Sequence, residues 1–430
     1  MKILFATMPF DGHFNPLTGI AAHLRRQGHD VRWYAGASYQ RRLSDLGVPG
    51  FVFRRAREVN GENIHDLFPE RARLKGPGLL AFDGEKIFVA EVHEHYRDIV
   101  DIRTDFDFDA LFCDAAFYAA TLVAKKIGVP VYTVGVGPML ATSRDVPPPF
   151  FGLKPAPTMR GKVRHRLVRA MLHSTLRRSV KAFNEVLAVE GLPPVSVGDW
   201  FDLPHRSARR YFQDGVPGMD YPRSDLPENV TFVGSLVPAG KELPPELTNR
   251  LRNHPDGTVV VSQGTVDNRD TGKLIEPALN AFRDLPHLVV VTTGGTHTDE
   301  LRRQFPQDKV LIEDYLDFGS ILKYARAFVC NGGYGSVMSA LEHGVPVLGA
   351  GSREGKNDIN ARLDHLGLGV DLGTERPTAD QLRVGLARVL HDRRIAQNVE
   401  RIRQEFAAHR PLGIIDHCLA EDGLFAPSPR

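Results

Sequence analysis

Along this chain, short apolar runs alternate with glycine-, proline- and asparagine-rich loops and with amphipathic stretches in a repeating order. Ile3 to Ala6 is the first apolar run. Leu17, Ile20, Ala21 and Leu24 then recur at helical spacing, which predicts a helix from about Pro16 to Arg26, ended by Gly28. Val31 to Tyr34 is the next strand, and the unit returns as Ala110 to Cys113, Asp114, a helix through Ala124 and the strand Val129 to Val134. It restarts after residue 250, with strands at Thr258–Ser262, Leu288–Thr293, Val310–Ile312, Ala327–Cys330 and Val345–Ala350. Helices fall between them, for example at 273–283 and 336–343. Strand, loop, helix, strand in succession predicts parallel sheets with helices on both faces. The expected fold class is therefore α/β, with two doubly wound Rossmann-like domains facing each other across a cleft at the carboxyl ends of their strands.

The length of 430 residues exceeds what one hydrophobic core usually supports and agrees with two domains. The first is expected over 1–220, with a basic amphipathic insertion near 160–190, and the second over 246–408. Pro, Gly, Asp and Asn crowd the stretch between them, so 221–245 reads as a linker. Residues 409–430 are a C-terminal segment placed to pack back on the first domain. The composition, 42% hydrophobic and 25% charged, is that of an ordinary globular chain. A net charge of +2 argues against a dedicated nucleic-acid binder. Cys113, Cys330 and Cys418 are too scattered for a disulfide framework or a metal site, which points to a reducing, cytoplasmic compartment. The apolar start breaks at Pro9 and Gly12, too early for a signal peptide, and no apolar run reaches the roughly 18 residues of a membrane span.

The stretch AFVCNGGYGSVMSALEHGVPVL carries the most chemistry. A buried strand ends at Cys330, and Asn331, Gly332, Gly333, Tyr334, Gly335 and Ser336 form a glycine-rich loop that opens a helix. Glycines let the backbone come close to a ligand, and the free N–H groups of a helix start favour a phosphate. Taken with its neighbours, this stretch resembles the donor-binding signature of family-1, UDP-glycosyltransferase-like enzymes of the GT-B fold, and their macrolide- and rhamnosyl-type bacterial members in particular. The family pattern HGGxGT is followed by GVP, here Gly344, Val345 and Pro346, and by an NA pair, here Asn360 and Ala361. At the amino end Gly12, His13, Asn15 and Pro16 fit the GHxxP element. Ser262, Gly264 and Thr265 in VVVSQGT resemble the second phosphate-facing loop. Tyr315, followed by Leu316, sits where the family often carries a base-stacking Trp.

The chain also departs from the pattern. The family's phosphate-binding His is Asn331, and its ribose-binding Glu is Ser339, with Glu342 one turn on. The Asp–Gln pair that grips the sugar falls on Lys356 and Asn357, and Glu354 is the candidate to supply the missing carboxylate.

Removing a hydroxyl proton near neutral pH calls for a base such as histidine, and a carboxylate on the other ring nitrogen fixes the tautomer. His13 follows the first strand and Asp114 ends a later strand of the same domain, so both reach one sheet edge. The resemblance gives them the roles of base and orienting acid. The competing readings are a loop histidine, and an N-cap for a helix starting at Ala115. The resemblance implies an inverting hexosyltransferase that takes a UDP- or dTDP-linked hexose to a hydroxyl of a small lipophilic, natural-product or glycolipid-type acceptor. The nucleotide sugar is then a co-substrate, with neither cofactor nor metal. Asp105, Asp107 and Asp109 have DxD spacing but precede a strand and read as a solvated acidic loop, and His93 and His95 form an isolated pair.

Two features stay open in the sequence. Residues 160–183 have no acidic residue; Leu167, Val168, Met171, Leu172, Leu176, Val180 and Phe183 form an apolar stripe opposite Arg164, Arg169, Arg177, Arg178 and Lys181. That helix is either a domain helix with a solvated basic face or a peripheral contact to anionic lipid. VPPPFFGLKPAP could flank an apolar acceptor pocket. Monomer and homodimer both remain open. Two other activities compete: a GT-B nucleotide-sugar epimerase, and a catalytically silent partner of a glycosyltransferase.

Overall fold

A computed structural model describes residues 1–238, 240–264, 270–306, 308–353 and 355–424. Thr265 and Glu354, both expected at the donor site, lie outside the described residues. The first sheet contains β1 (Lys2–Ala6), β2 (Asp30–Ala35), β3 (Gly50–Val52), β4 (Ala110–Asp114), β5 (Val131–Gly135), β6 (Arg210–Asp214) and β7 (Val230–Gly234). Its order is β3-β2-β1-β4-β5-β6-β7, with every neighbouring pair parallel. The second contains β8 (Thr258–Ser262), β9 (Leu288–Thr292), β10 (Val310–Glu313), β11 (Ala325–Cys330), β12 (Val347–Gly349) and β13 (Gly369–Asp371), again all parallel, in the order β10-β9-β8-β11-β12-β13. Helices cover both faces, so the central strands are buried along their length and read as apolar runs rather than as alternation. In each sheet the strand order reverses once, between β1 and β4 and between β8 and β11. Ligands of doubly wound folds bind at such reversals.

Several expected boundaries move. The first helix spans Asp11–Arg26, so His13 lies in its first turn rather than in a loop. Pro16, expected at the helix start, instead sits one turn in, where it forfeits a single backbone bond. The helix after the glycine loop spans Tyr334–Glu342, so Gly335 and Ser336 belong to its first turn. The stretch 221–245 is not all linker, because β7 lies inside it as the edge strand of the first sheet. Pro227, Asn229 and Gly234 flank that short β-branched run and hid it. The helix Pro411–Glu421 returns to the first domain, where Ile415, Cys418 and Leu419 join the cluster of Leu17, Ile20 and Phe212. Asp416 there meets His23 at 2.9 Å.

The basic insertion is one helix, Met159–Val189, capped by the Thr158 hydroxyl. Leu172, Leu176, Val180 and Phe183 pack into the first domain. Leu167 and Met171, expected in the same stripe, are instead 68% and 43% exposed. They line up with exposed Met159 and Val163 at four-residue spacing, on a row of the helix beside the one that carries buried Leu172, Leu176 and Val180. Among the described residues, no helix is long and apolar enough to cross a membrane.

Candidate active site

At the reversal of the first sheet, β1 delivers the loop Thr7–Phe10 and the helix start, while β4 ends on Asp114. The Asp114 carboxylate is fully buried and held from three sides. Oδ2 accepts the Met8 N–H at 2.8 Å, and Oδ1 accepts the Ala116 N–H at 2.8 Å. The remaining approach to Oδ1 is taken by His13 Nδ1 at 2.7 Å. The carboxylate is an acceptor only, so Nδ1 carries the ring proton and Nε2 keeps a bare lone pair. The His13 side chain is 23% exposed while that of Asp114 is sealed. No helix starts at Ala115: the chain turns there and the next helix begins at Ala120, so Asp114 caps a turn rather than a helix and orients His13 as well. Asp11 and Asn15 fix the helix start through the Arg42 guanidinium, which also lies 4.7 Å from the Phe14 ring.

At the reversal of the second sheet, the loops after β8 and β11 are joined by the Asn331 side-chain amide, which donates to the Gln263 carbonyl. Gly264 has φ +89°, and a Cβ there would lie 3.0 Å from that amide nitrogen. Gly332 also has φ +89°, with the Asn360 side chain only 2.5 Å from where its Cβ would stand. These two positions need glycine for both conformation and room. Asn360 lies under the loop and donates to the Gly351 carbonyl at 3.0 Å, so it props the glycine turn from below. The Ser336 hydroxyl donates back to the Gly333 carbonyl at 2.9 Å. The N–H groups of Gly333 to Ser336 have no protein acceptor among the described residues, as expected of a helix start. Nothing closer than 3.3 Å meets a Cβ on Gly333, and nothing within 4 Å meets one on Gly335. This leaves an open, donor-lined corner suited to a diphosphate.

The other expected donor residues occupy varied places. Ser262 is buried, its hydroxyl accepting the Gly264 N–H at 3.2 Å. The Tyr315 ring is 69% exposed, pinned by its hydroxyl to the Gly294 carbonyl at 2.6 Å. It stands free as a stacking face, while Leu316 packs against the domain core. Lys356 begins the helix Lys356–His365. Asn357, expected at the sugar, instead donates to the Phe150 carbonyl of the first domain at 2.8 Å. Ser339 is buried in its helix and Glu342 is on the surface.

Sequence reasoning missed the residues that hold the two halves together. The Tyr334 hydroxyl donates to the Asp214 carbonyl at the end of β6 at 2.6 Å, setting the glycine loop against the carboxyl edge of the first sheet. Burial pushes the nearby Asp214 carboxyl up to about 7. Asp358 accepts the N–H groups of Phe150 and Gly152, and burial raises its carboxyl above the usual range. Phe150 is held at φ +73°, a strained value for a bulky residue. Arg362 Nε donates to Asp220 Oδ1 at 3.1 Å. A tyrosine at a variable motif position and an aspartate one past the expected sugar pair gave no local signal of this.

On the acidic stretch, Asp107 pairs with Arg103 at 3.0 Å and Asp109 accepts the Lys2 N–H at 2.8 Å, at the amino edge of the sheet away from His13. His93 bonds Glu190 at 3.0 Å.

Known proteins resemble this chain in sequence and in fold. Residues 276–420 match the family described as erythromycin biosynthesis protein CIII-like, C-terminal domain. The chain is 31% identical over 409 residues to 4'-demethylrebeccamycin synthase of Lentzea aerocolonigenes, covering 95% of this chain and 96% of that protein. Its fold is similar to that of the calicheamicin glycosyltransferase CalG4, with a TM-score of 0.76 at 20% identity over 99% of both chains. It is also similar to the glycosyltransferase VinC in complex with dTDP, with a TM-score of 0.67 at 18% identity over 99% of this chain and 100% of that one.

Proposed function

The chain belongs to the family-1 GT-B glycosyltransferases of the natural-product type, and we propose that it transfers a hexose from a UDP- or dTDP-sugar with inversion, using His13 as base. The observation that carries this reading is the His13–Asp114 pair, at 2.7 Å, on the sheet edge facing the glycine loop. An acceptor hydroxyl hydrogen-bonded to His13 Nε2 loses its proton as its oxygen attacks the anomeric carbon. The new C–O bond forms while the bond from that carbon to the diphosphate breaks, so attack from the opposite face inverts the centre. The imidazolium that results is stabilised by the Asp114 carboxylate, whose own position is held by Met8 and Ala116. The departing diphosphate gathers charge on oxygens that the N–H groups of Gly333 to Ser336 are placed to meet, with no reorganisation of the loop. Tyr315 stacks on the base. Lys356 borders the sugar, and the acceptor is a small lipophilic, natural-product or glycolipid-type molecule in the first domain.

The test is His13→Ala assayed with nucleotide sugars and candidate acceptors. Transfer is expected to fall by at least ~100-fold while nucleoside diphosphate affinity stays at the wild-type value. Undiminished turnover by the variant would remove His13 from the mechanism.

A further inference from the structure

We propose that His95 reads the acceptor: its Nε2 accepts a hydrogen bond from an O–H or N–H group on a planar aromatic molecule lying against phenylalanines of the first domain. This rests on the reading that the first domain holds the acceptor.

His95 is on the helix Val92–Asp105, which follows a π-helical turn at Gly84–Val89, a distortion frequent near functional sites. It is 4% exposed, and its ring is committed on one side by a relay. Asp98 accepts the N–H groups of Arg54 at 2.9 Å and Arg55 at 3.0 Å, and the Tyr34 hydroxyl at 2.8 Å. Having given its only hydrogen to Asp98, the Tyr34 oxygen can meet His95 Nδ1 at 2.9 Å only by accepting. Nδ1 therefore carries the proton and Nε2 is a lone pair. Burial drives the His95 pKa down to about 4, against the pull of the Asp98 and Asp114 charges, so the ring is neutral at working pH. Nε2 has no partner among the described residues, and it is not one of the polar atoms sealed inside the protein. A nine-tenths-buried acceptor of fixed tautomer with nothing to accept from is costly unless a ligand or water meets it.

What surrounds the ring sets the class of ligand. Phe53 packs edge-on to it at 4.8 Å and Phe117 lies at 5.2 Å. The Phe117 N–H bonds the Asp114 carbonyl at 3.1 Å, so this wall begins one turn from the catalytic carboxylate. Met8 belongs to the same apolar cluster, with Phe10, Phe53 and Phe88 packed on it and only partly buried. Phe10 is 6.0 Å from the His13 ring. Partly covered aromatic rings running from the base to a single polar atom suit a flat aromatic body with one donor group remote from the reacting hydroxyl.

The probes are 2,6-dihydroxyanthraquinone and 2,6-dimethoxyanthraquinone, titrated by calorimetry into wild type, His95→Phe and Tyr34→Phe, with melting curves as folding controls. His95→Phe is expected to weaken the dihydroxy compound about tenfold and leave the dimethoxy compound unchanged. Tyr34→Phe frees the tautomer and gives a smaller loss of the same preference. In transfer assays the loss should fall on KM, with kcat within about threefold. Wild-type affinity for the dihydroxy compound in His95→Phe overturns the proposal, as does failure of the wild type to bind either probe. A kcat loss at constant KM also overturns it. Should His95→Phe not fold, unchanged affinity in Tyr34→Phe overturns it alone. If the binding difference holds while the wild type transfers no sugar, the glycosyltransferase mechanism is wrong and the role of His95 stands.

Discussion

The two sheet reversals have the same topology and solve opposite chemical problems. Between β1 and β4 the site consists of side chains, with one imidazole aimed by one carboxylate that two backbone N–H groups immobilise. Between β8 and β11 it consists of backbone, a row of N–H groups exposed by two turns that glycine permits. In the proposed mechanism the reason lies in the ligands. A proton leaves from a single atom and needs a titrating group at that atom. A diphosphate spreads its charge over several oxygens and is met by several fixed dipoles. The first half should therefore be fragile to a change of one functional group, and the second to a change of shape.

The largest effect is expected where shape matters. In Gly333→Val the backbone keeps an ordinary negative φ, and the Cβ meets the Ser336 hydroxyl at 3.3 Å, a tight contact that rotation of that side chain relieves. Its branches cover the N–H corner, and losing two charge-assisted bonds at about 1.5–3 kcal/mol each weakens nucleoside diphosphate by more than ~100-fold. Calorimetric titration checks this, and wild-type affinity in the variant would misplace the donor site. Next comes Asp114→Asn, isosteric yet short of an acceptor. Three N–H groups converge on the carboxylate, and a single amide oxygen leaves one of them unsatisfied, so the fold should lose about 1–3 kcal/mol. From sequence a helix cap alone would tolerate the swap, because Asn caps as well as Asp. Turnover should fall at least ~10-fold, because imidazolium loses its counter-charge; a variant equal to wild type in both melting and rate would reduce Asp114 to a cap. The smallest effect belongs to Asn331→Ala, which removes one neutral hydrogen bond between the two donor loops. Diphosphate affinity should change by no more than about tenfold, because backbone carries the site. A larger loss would mean that the Asn331 side chain itself holds phosphate, and the contrast between the halves would weaken.

Most of this arrangement was legible from local pattern. The apolar runs gave the order of the central strands, since strands buried on both faces must be apolar throughout. GHxxP and the glycine loop marked the two strand ends at the sheet reversals, because the turn after β11 needs a glycine at positive φ. Less legible were short edge strands such as β7, whose five residues are flanked by turn formers. The width of the buried face of the basic helix was equally hidden, because Leu167 and Met171 lie one residue off the row of Val168, Leu172 and Leu176, within a broad apolar stripe, and face solvent. Period reports which residues share a face and says nothing about whether another element covers it.

What the sequence determined by itself was the set of local conformations and the chemical types at the ends of strands: a histidine after β1, an aspartate closing β4, glycines after β11. These follow from forces acting over a few residues. What only the tertiary structure decided was partnership. Asp358 lies in the segment where the resemblance puts the sugar, yet its carboxylate binds the backbone at Phe150 and Gly152, 208 and 206 residues away in the chain. Tyr334 occupies a variable motif position and joins the two sheets through Asp214. The sequence shows His95 only as half of an isolated pair; Tyr34 and Asp98, on different elements, fix its proton and leave the other nitrogen bare. Hydrogen bonds are satisfied in three dimensions by whatever donor the packing brings within reach, and packing is a property of the whole chain.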